Sequence, residues 1–481
     1  MTHRHGWGLA AVAVAGLMGS TLVSAVPAAA VHGGVPGDFN GDGYKDAVLP
    51  APGADVAGKE AAGAVVVLYG SKTGLAASHR KTLTQNSSGV PGTAEKNDMF
   101  GYATATADLN RDGYADLVVG SPYEDTTGGT NRGAVTVLWG SGSGLTSGTS
   151  LPASAYQGLE PLYFGLDIAA TSGSSGAKTE VLVGSWHGSA LFTGPFSRTG
   201  SYGASAVADY SWAGSVALGD FDGDGAQDHV NVTFGQSGET GGQVVIDPED
   251  DDLSDDLPVY QTEGNGRIPA TGDLNGDGYA DLVVGDPEDP DTPGVDGALG
   301  GRVLVWYGSA RGIAKDAPPV QITQNTPSVP GASEEGDSFG AGLAVADLNR
   351  DGLADIVVGS PYEDLAEGRA GQVTVIPGRA TGALGTGSYS FSQDTAGVPG
   401  ASEDDDFFGT TVSVGDVNKD GRPELFVGAA GENNYTGAVW VFPGGSSRPV
   451  ATGSKLFTAA SVGLTQQSGT LLGGNGLLWV I

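Results

Sequence analysis

The feature that most narrows the folds open to this chain is a nine-residue acidic pattern, Asp-x-Asn/Asp-x-Asp-Gly-x-x-Asp/Glu. It occurs six times, beginning at Asp38, Asp108, Asp220, Asp273, Asp347 and Asp416. Self-similarity on this scale marks a repeat architecture, in which each unit buries its apolar faces on its neighbours. Each copy runs into an apolar stretch, such as Leu117-Val118-Val119-Gly120 or Ile356-Val357-Val358-Gly359. Two of these lead into the same string, Ser-Pro-Tyr-Glu-Asp, at 121–125 and 360–364. A glycine then opens a second segment of strand-like alternation at 63–70, 133–140, 301–308, 371–378 and 437–444. Alternation with period two is the mark of a half-buried strand. Eight residues before the first Asp stands a Phe-Gly pair in three copies, Phe100-Gly101, Phe339-Gly340 and Phe408-Gly409.

The interval from Asp108 to Asp220 is too long for one unit and holds a worn copy. Phe164-Gly165 and Val181-Leu182-Val183-Gly184 keep the spacing, while Ser172, Ser174 and Gly176 replace the acidic positions and Glu180 survives. The seven starts are then 70, 64, 48, 53, 74 and 69 residues apart. Each interval suits a four-stranded antiparallel unit, and seven such units predict an all-β, seven-bladed β-propeller. Residue 31 lies close before Asp38, so the first unit lacks the strand that precedes its acidic loop. The segment from Leu472-Gly473 to Ile481 resembles that strand. The last strand is therefore expected to complete the blade that the N-terminal end opens, which hides the sheet edges.

The N-terminal residues read as an export signal over 1–30, followed by one domain over 31–481. Thr2 to His5 are polar and basic, Leu9 to Val26 are small and apolar, and Ala28 and Ala30 form an A-x-A cleavage site. The expected location is extracellular, with no membrane span once the signal is removed and a monomeric state. With no Cys, the chain has no disulfide framework, so packing, metal or both must stabilise it. A net charge of −34 leaves no basic surface to displace counterions from nucleic acid.

The acidic loops carry the chemistry. Hard cations such as calcium take six to eight oxygens, and positions 1, 3, 5 and 9 of each loop offer oxygen side chains around a turn that Gly at position 6 permits. The predicted ligands are Asp38, Asn40, Asp42 and Asp46; Asp108, Asn110, Asp112 and Asp116; and Asp220, Asp222, Asp224 and Asp228. In the later units they are Asp273, Asn275, Asp277 and Asp281; Asp347, Asn349, Asp351 and Asp355; and Asp416, Asn418, Asp420 and Glu424. These loops hold 19 of the 56 acidic residues, packed closely enough to repel one another without a counter-charge. About six calcium ions are expected. An EF-hand is excluded, because position 12 is Leu49, Val119, Asn231, Val284, Val358 or Val427 and strands flank the loop.

Together, Phe-Gly, the acidic loop and the Gly-Ser-Pro or Gly-Asp-Pro segment resemble the FG-GAP repeat of integrin α-subunit β-propellers and their bacterial relatives, over about residues 38–481. The resemblance implies seven radial blades, with calcium loops between the first two strands of each blade on the lower face. The chain departs from the pattern where Trp212-Ala213 and Asn265-Gly266 stand for Phe-Gly, and where the fourth repeat lacks Gly-x-Pro.

Enzyme motifs find little support. Gly336-Asp337-Ser338-Phe339-Gly340 matches the hydrolase string G-x-S-x-G, but it ends in the repeat's own Phe-Gly. His32, His79, His187 and His229 form no spaced pair. The leading expectation is an adhesion or ligand-recognition module for an extracellular protein or carbohydrate. The alternative is a secreted hydrolase of polysaccharide or ester substrates. The ligand-binding candidates are Tyr123, Glu124, Tyr362 and Glu363, on loops opposite the acidic ones, with Asp286 to Asp296 beside them. The run Asp247 to Asp256 reads as a solvated loop.

Overall fold

The computed structural model describes residues 36–153, 162–173, 177–208, 213–235, 240–247, 260–290 and 295–476. The proposed signal at 1–30, residues 248–256 of the acidic run, residues 291–294 and the last five residues lie outside it.

Seven antiparallel sheets follow one another along the chain, each with its strands in sequence order, and they are the blades of a β-propeller. Blade 2 shows the plan: Thr104–Ala107, Asp116–Ser121, Ala134–Trp139 and Ser147–Leu151. The second strands of the other blades are Ala47–Ala51, Glu180–Ser185, Asp228–Thr233, Asp281–Asp286, Asp355–Ser360 and Glu424–Ala429. Each begins at position 9 of an acidic loop, at the residue after it in blade 1, or at Glu180 in the worn copy. The worn copy is a full blade of four strands. Among the described residues one short turn, Glu432–Tyr435, with positive φ at Asn433, Asn434 and Tyr435, interrupts the β structure.

The inner strands are apolar because both of their faces are covered. Asp116–Ser121 and Ala47–Ala51 are buried at every residue, whereas the fourth strand of blade 1, Arg80–Leu83, is mostly polar and open to solvent. Every seam between neighbouring blades holds its own apolar cluster. Val48, Val65 and Val67 of blade 1 pack on Phe100, Leu117 and Val119 of blade 2. Leu49, Val66 and Leu68 of blade 1 pack equally on Phe426, Val439 and Val441 of blade 7, so the ring is closed by contact.

The Phe-Gly pairs pin each blade to the one before it. Phe100, Phe164, Phe339 and Phe408 are fully buried. The N–H groups of Phe100, Phe164 and Phe408 donate to the carbonyls of Ala62, Arg132 and Ala370 in the preceding blade at 3.1, 3.0 and 2.9 Å. The chain passes so close that a Cβ on Gly120 would lie 2.2 Å from the Gly165 carbonyl oxygen, and one on Gly359 would lie 1.9 Å from that of Gly409. The glycine ending each Val-Val-Gly run is therefore a close-approach residue.

Leu472-Gly473 takes the same place after blade 7. A Cβ on Gly437 would meet the Leu472 nitrogen at 2.4 Å, as one on Gly371 would meet the Phe408 nitrogen at 2.5 Å. The Gly473 N–H donates to the Pro50 carbonyl of blade 1 at 2.7 Å. Blade 1 has three strands among the described residues, its second to fourth, and residues 477–481, expected to supply its first, lie outside them. Because Leu472 is fully buried between blades 7 and 1, Leu472→Ala is expected to cost about 2–5 kcal/mol. Chemical denaturation of the variant checks this, and a cost below about 1 kcal/mol would mean the seam does not depend on this residue.

Candidate metal centres and the opposite loop face

Each acidic loop joins a first strand to a second, and backbone N–H groups hold it in one shape. The position-1 carboxylate accepts from positions 4 and 6: Asp38 from Gly41 at 2.7 Å and Gly43 at 2.8 Å, Asp273 from Gly276 at 2.6 Å and Gly278 at 2.9 Å. The position-3 side chain accepts the position-5 N–H, as Asn40 does from Asp42 at 2.8 Å and Asp222 from Asp224 at 3.1 Å. Position 5 accepts in turn from position 7, as Asp42 does from Tyr44 at 2.9 Å. This winding needs positive φ at position 6, where Gly43, Gly113 and Gly278 have 88°, 90° and 91°. It needs positive φ at position 4 as well, which Arg111, Arg350 and Lys419 supply at 56°, 66° and 57° despite the cost to an L side chain.

Position 9 is built differently. Asp46 is fully buried and accepts the N–H of Phe39 at 3.0 Å and of Gly70 at 2.9 Å. Asp116, Asp281 and Asp355 repeat this with Leu109 and Gly140, Leu274 and Gly308, and Leu348 and Gly378. Glu424 accepts from Val417 N–H at 2.9 Å and from the Asn418 amide at 2.6 Å. Burial pushes Asp46, Asp116, Asp281 and Glu424 up to about 7 and Asp355 to about 6, with the other carboxylates of the loop adding to the push and the backbone donors opposing it.

The donor set is oxygen only and rich in negative charge, which fits a hard divalent ion. In the fourth unit, oxygens of Asp220, Asp222 and Asp224 lie within 4.8 Å of one another. In the worn unit Glu180 lies 3.7 Å from His229 Nε2 in the seam with blade 4, a contact the sequence spacing did not disclose.

Tyr123, Glu124, Tyr362 and Glu363 follow the far ends of second strands, so they lie on the face opposite the acidic loops. Tyr123 is half-buried edge-on between Tyr102 and Tyr163, with centroids 6.1 and 5.2 Å away, and Tyr362 packs on Phe407 at 5.1 Å. The glutamates reach across seams: Gln85 Nε2 donates to Glu124 at 2.5 Å, Gln393 to Glu432 at 2.6 Å, and Gln324 to Glu363. All three pairs are separated by 39 residues, a spacing through which the sequence alone discloses them. A cleft of about 600 Å³ opens beside Tyr362, lined by Glu334, Asp337, Asp364, Arg369 and Asp405. Ser338, the hydrolase-like serine, is buried, and its hydroxyl turns back to the Gly336 carbonyl at 3.4 Å. A strand, Gly342–Ala346, follows it where a nucleophile elbow needs a helix.

The FG-GAP repeat family matches residues 30–68, 100–138, 265–306, 339–376 and 408–442. The chain is 35% identical over 241 residues to integrin alpha-V of Gallus gallus, covering 47% of this chain and 21% of that protein. It is 32% identical over 253 residues to integrin alpha-PS2 of Drosophila melanogaster, covering 52% of this chain and 17% of the relative. With human integrin alpha-6 the identity is 29% over 224 residues, 45% of this chain and 17% of the relative. The matched stretches thus span about a fifth of these relatives' lengths.

The cross-seam pairs generate a pH prediction. Burial first, then the charges of Asp98 and Asp337, push Glu124 and Glu363 up to about 7, and burial with Asp406 does the same to Glu432. A raised native pKa favours the folded state below the ordinary carboxyl range, and that advantage is lost as pH climbs through about 7. Replacing all three by Gln keeps the site neutral at every pH. The melting temperature of the triple variant relative to wild type is therefore expected to rise from pH 5 to pH 8, and a difference that stays flat with pH would contradict it.

Proposed function

The chain is an integrin α-like FG-GAP repeat protein, and from that premise we propose that it is a secreted, calcium-stabilised module for extracellular adhesion or ligand recognition. The observation that carries the calcium half is the repetition of one oxygen-only loop, wound on the same backbone bonds, at the same place in six blades. Asp, Asn and backbone carbonyl donors suit calcium, whose flexible coordination accepts six to eight oxygens. Magnesium keeps its waters and demands an octahedron. The apolar run before Ala28 and Ala30 supports export. Among the described residues, no helix is long and apolar enough to cross a membrane.

The recognition half rests on the separation of the two faces. Cations bound at one end of the second strands stabilise the ring without occupying the other end. There the aromatic side chains Tyr123 and Tyr362 stand beside acidic groups and an open cleft. Rigid scaffolds carry binding loops in this way. An extracellular protein or carbohydrate is the ligand class. The segment from Leu472-Gly473 to Ile481, whose last five residues lie outside the described ones, is read as the piece that completes blade 1, a reading supported by the Gly473–Pro50 hydrogen bond and the Leu472 contact with blade 7.

Thermal melting of the mature chain in calcium, in magnesium and in a chelator tests the calcium half. A ligand at a hundredfold excess over its Kd stabilises by roughly 2.7 kcal/mol per site, so calcium is expected to raise Tm far more than magnesium. Equal Tm in calcium and chelator would end the metal reading. For recognition, the immobilised chain is tested against purified matrix proteins and glycans. The expected result is a partner whose affinity falls at least tenfold in Tyr362→Ala with Tm unchanged. Turnover of a glycan or ester substrate would instead favour a hydrolase.

A further inference from the structure

Blade 3 has lost the acidic loop of its own, yet its residues close on the loop of blade 2. Ser172, which replaces the first carboxylate, accepts the Asp108 N–H on its hydroxyl at 2.8 Å. Arg111, at position 4 of the blade 2 loop, donates to the carbonyls of Ser172 and Ala177. From the hairpin between the third and fourth strands of blade 3, Gly188–Thr193 and Ala204–Ala208, Arg198 reaches across the seam. Its Nη2 donates to Asp112 Oδ2 at 2.6 Å and also to the Gly140 carbonyl.

The contact differs in kind from those of the other loops. In blades 1 and 5 the matching oxygens, Asp42 Oδ2 and Asp277 Oδ2, accept the neutral amides of Asn40 and Asn275, both at 3.0 Å. Arg198 brings a full positive charge to the same position, and a guanidinium does not lose it at any accessible pH. The second partner of Arg198 matters too. Gly140 donates its N–H to the ninth carboxylate, Asp116, at 2.8 Å. Arg198 thus ties the fifth position of the loop to the strand end that the ninth position already holds.

We propose that Arg198 is the resident cation of the blade 2 loop, so that this loop is ordered without calcium and binds it more weakly than the other five. The inference rests on the calcium reading above. A divalent ion arriving beside Asp112 meets a like charge a few ångströms away and must compete for an oxygen already bonded to it, whereas the matching oxygens of blades 1 and 5 accept neutral amides. Loss of the cage in blade 3 and capture of the neighbouring loop by Arg198 then form one arrangement. A blade that binds no ion braces the next one with its own side chain.

Hydrogen exchange of the full mature chain, in calcium and in chelator, reads each loop separately. In wild type, protection of 108–116 is expected to change less than threefold on chelation, while 273–281 and 347–355 lose at least tenfold. Arg198→Gln is expected to move 108–116 into the tenfold class and to add one tight calcium per chain in equilibrium dialysis. Arg198→Lys, which keeps the charge, should stay nearer wild type. The proposal is overturned if wild-type 108–116 loosens with the other loops, or if Arg198→Gln leaves its calcium response unchanged. If no loop responds to calcium, the calcium reading fails by itself. In that case Arg198 is judged on whether Arg198→Gln loosens 108–116 in chelator, and no loosening overturns it.

Discussion

A buried carboxylate accepting two backbone N–H groups at the head of a second strand is the interaction on which the rest of the propeller depends. Asp46, Asp116, Asp281 and Asp355 each join the start of their own loop to the glycine just beyond the third strand. Hydrogen bonds to a charged acceptor contribute about 1.5–3 kcal/mol each, while taking an ion out of water costs several kcal/mol. The two effects are of similar size, so the loop is poised, and a counter-charge decides how firmly it holds. Every later feature of the loop follows from this anchor. With position 9 fixed, position 1 can gather the N–H groups of positions 4 and 6 only if both adopt positive φ.

That anchor also separates the two faces. It lies at the head of a strand of five or six residues, and the Tyr-Glu-Asp segments begin after the foot of the same strand. Such a strand spans roughly 17–20 Å. Electrostatic fixation of the fold at one end and molecular contact at the other therefore do not compete for the same side chains. The inner strands between them are apolar on both faces, so the link is rigid packing, not a chain of ionisable groups.

Most of this was legible in the sequence because it is periodic. The acidic loop, the Val-Val-Gly run and the Phe-Gly pair recur in register, and the close approach of Gly165 to Gly120 explains why two of the three end in glycine. The worn third unit was found by spacing alone and is a full blade. What spacing did not disclose is what depends on which blades stand side by side. Arg198 and Asp112 are 86 residues apart and meet only because a hairpin of one blade overhangs the loop of the previous one. Glu180 keeps the position of a loop ligand yet faces His229, because its blade has no acidic loop to complete. The positive φ at Arg111, Arg350 and Lys419 was hidden for a related reason. The rest of the loop imposes it on residues that do not prefer it.

The seam between blades 3 and 4 shows how the ring tolerates such wear. Among the described residues its apolar cluster is Ala169, Leu182, Leu191, Val216 and Leu218, smaller than the group joining blades 2 and 3. Polar contacts add to it. Asp167 accepts from the Ser215 hydroxyl at 2.6 Å and from the Val216 N–H at 2.9 Å. In an open array, where each repeat contacts only its neighbours, a weak interface is a place to come apart, since stability there is a sum of nearest-neighbour terms. In a closed ring, parting at one seam requires a second to open as well. The Leu472 contact between blades 7 and 1 therefore bears on the weak seam four blades away. Closure turns one eroded repeat from a breaking point into a variation that neighbouring residues, Arg198 among them, can use.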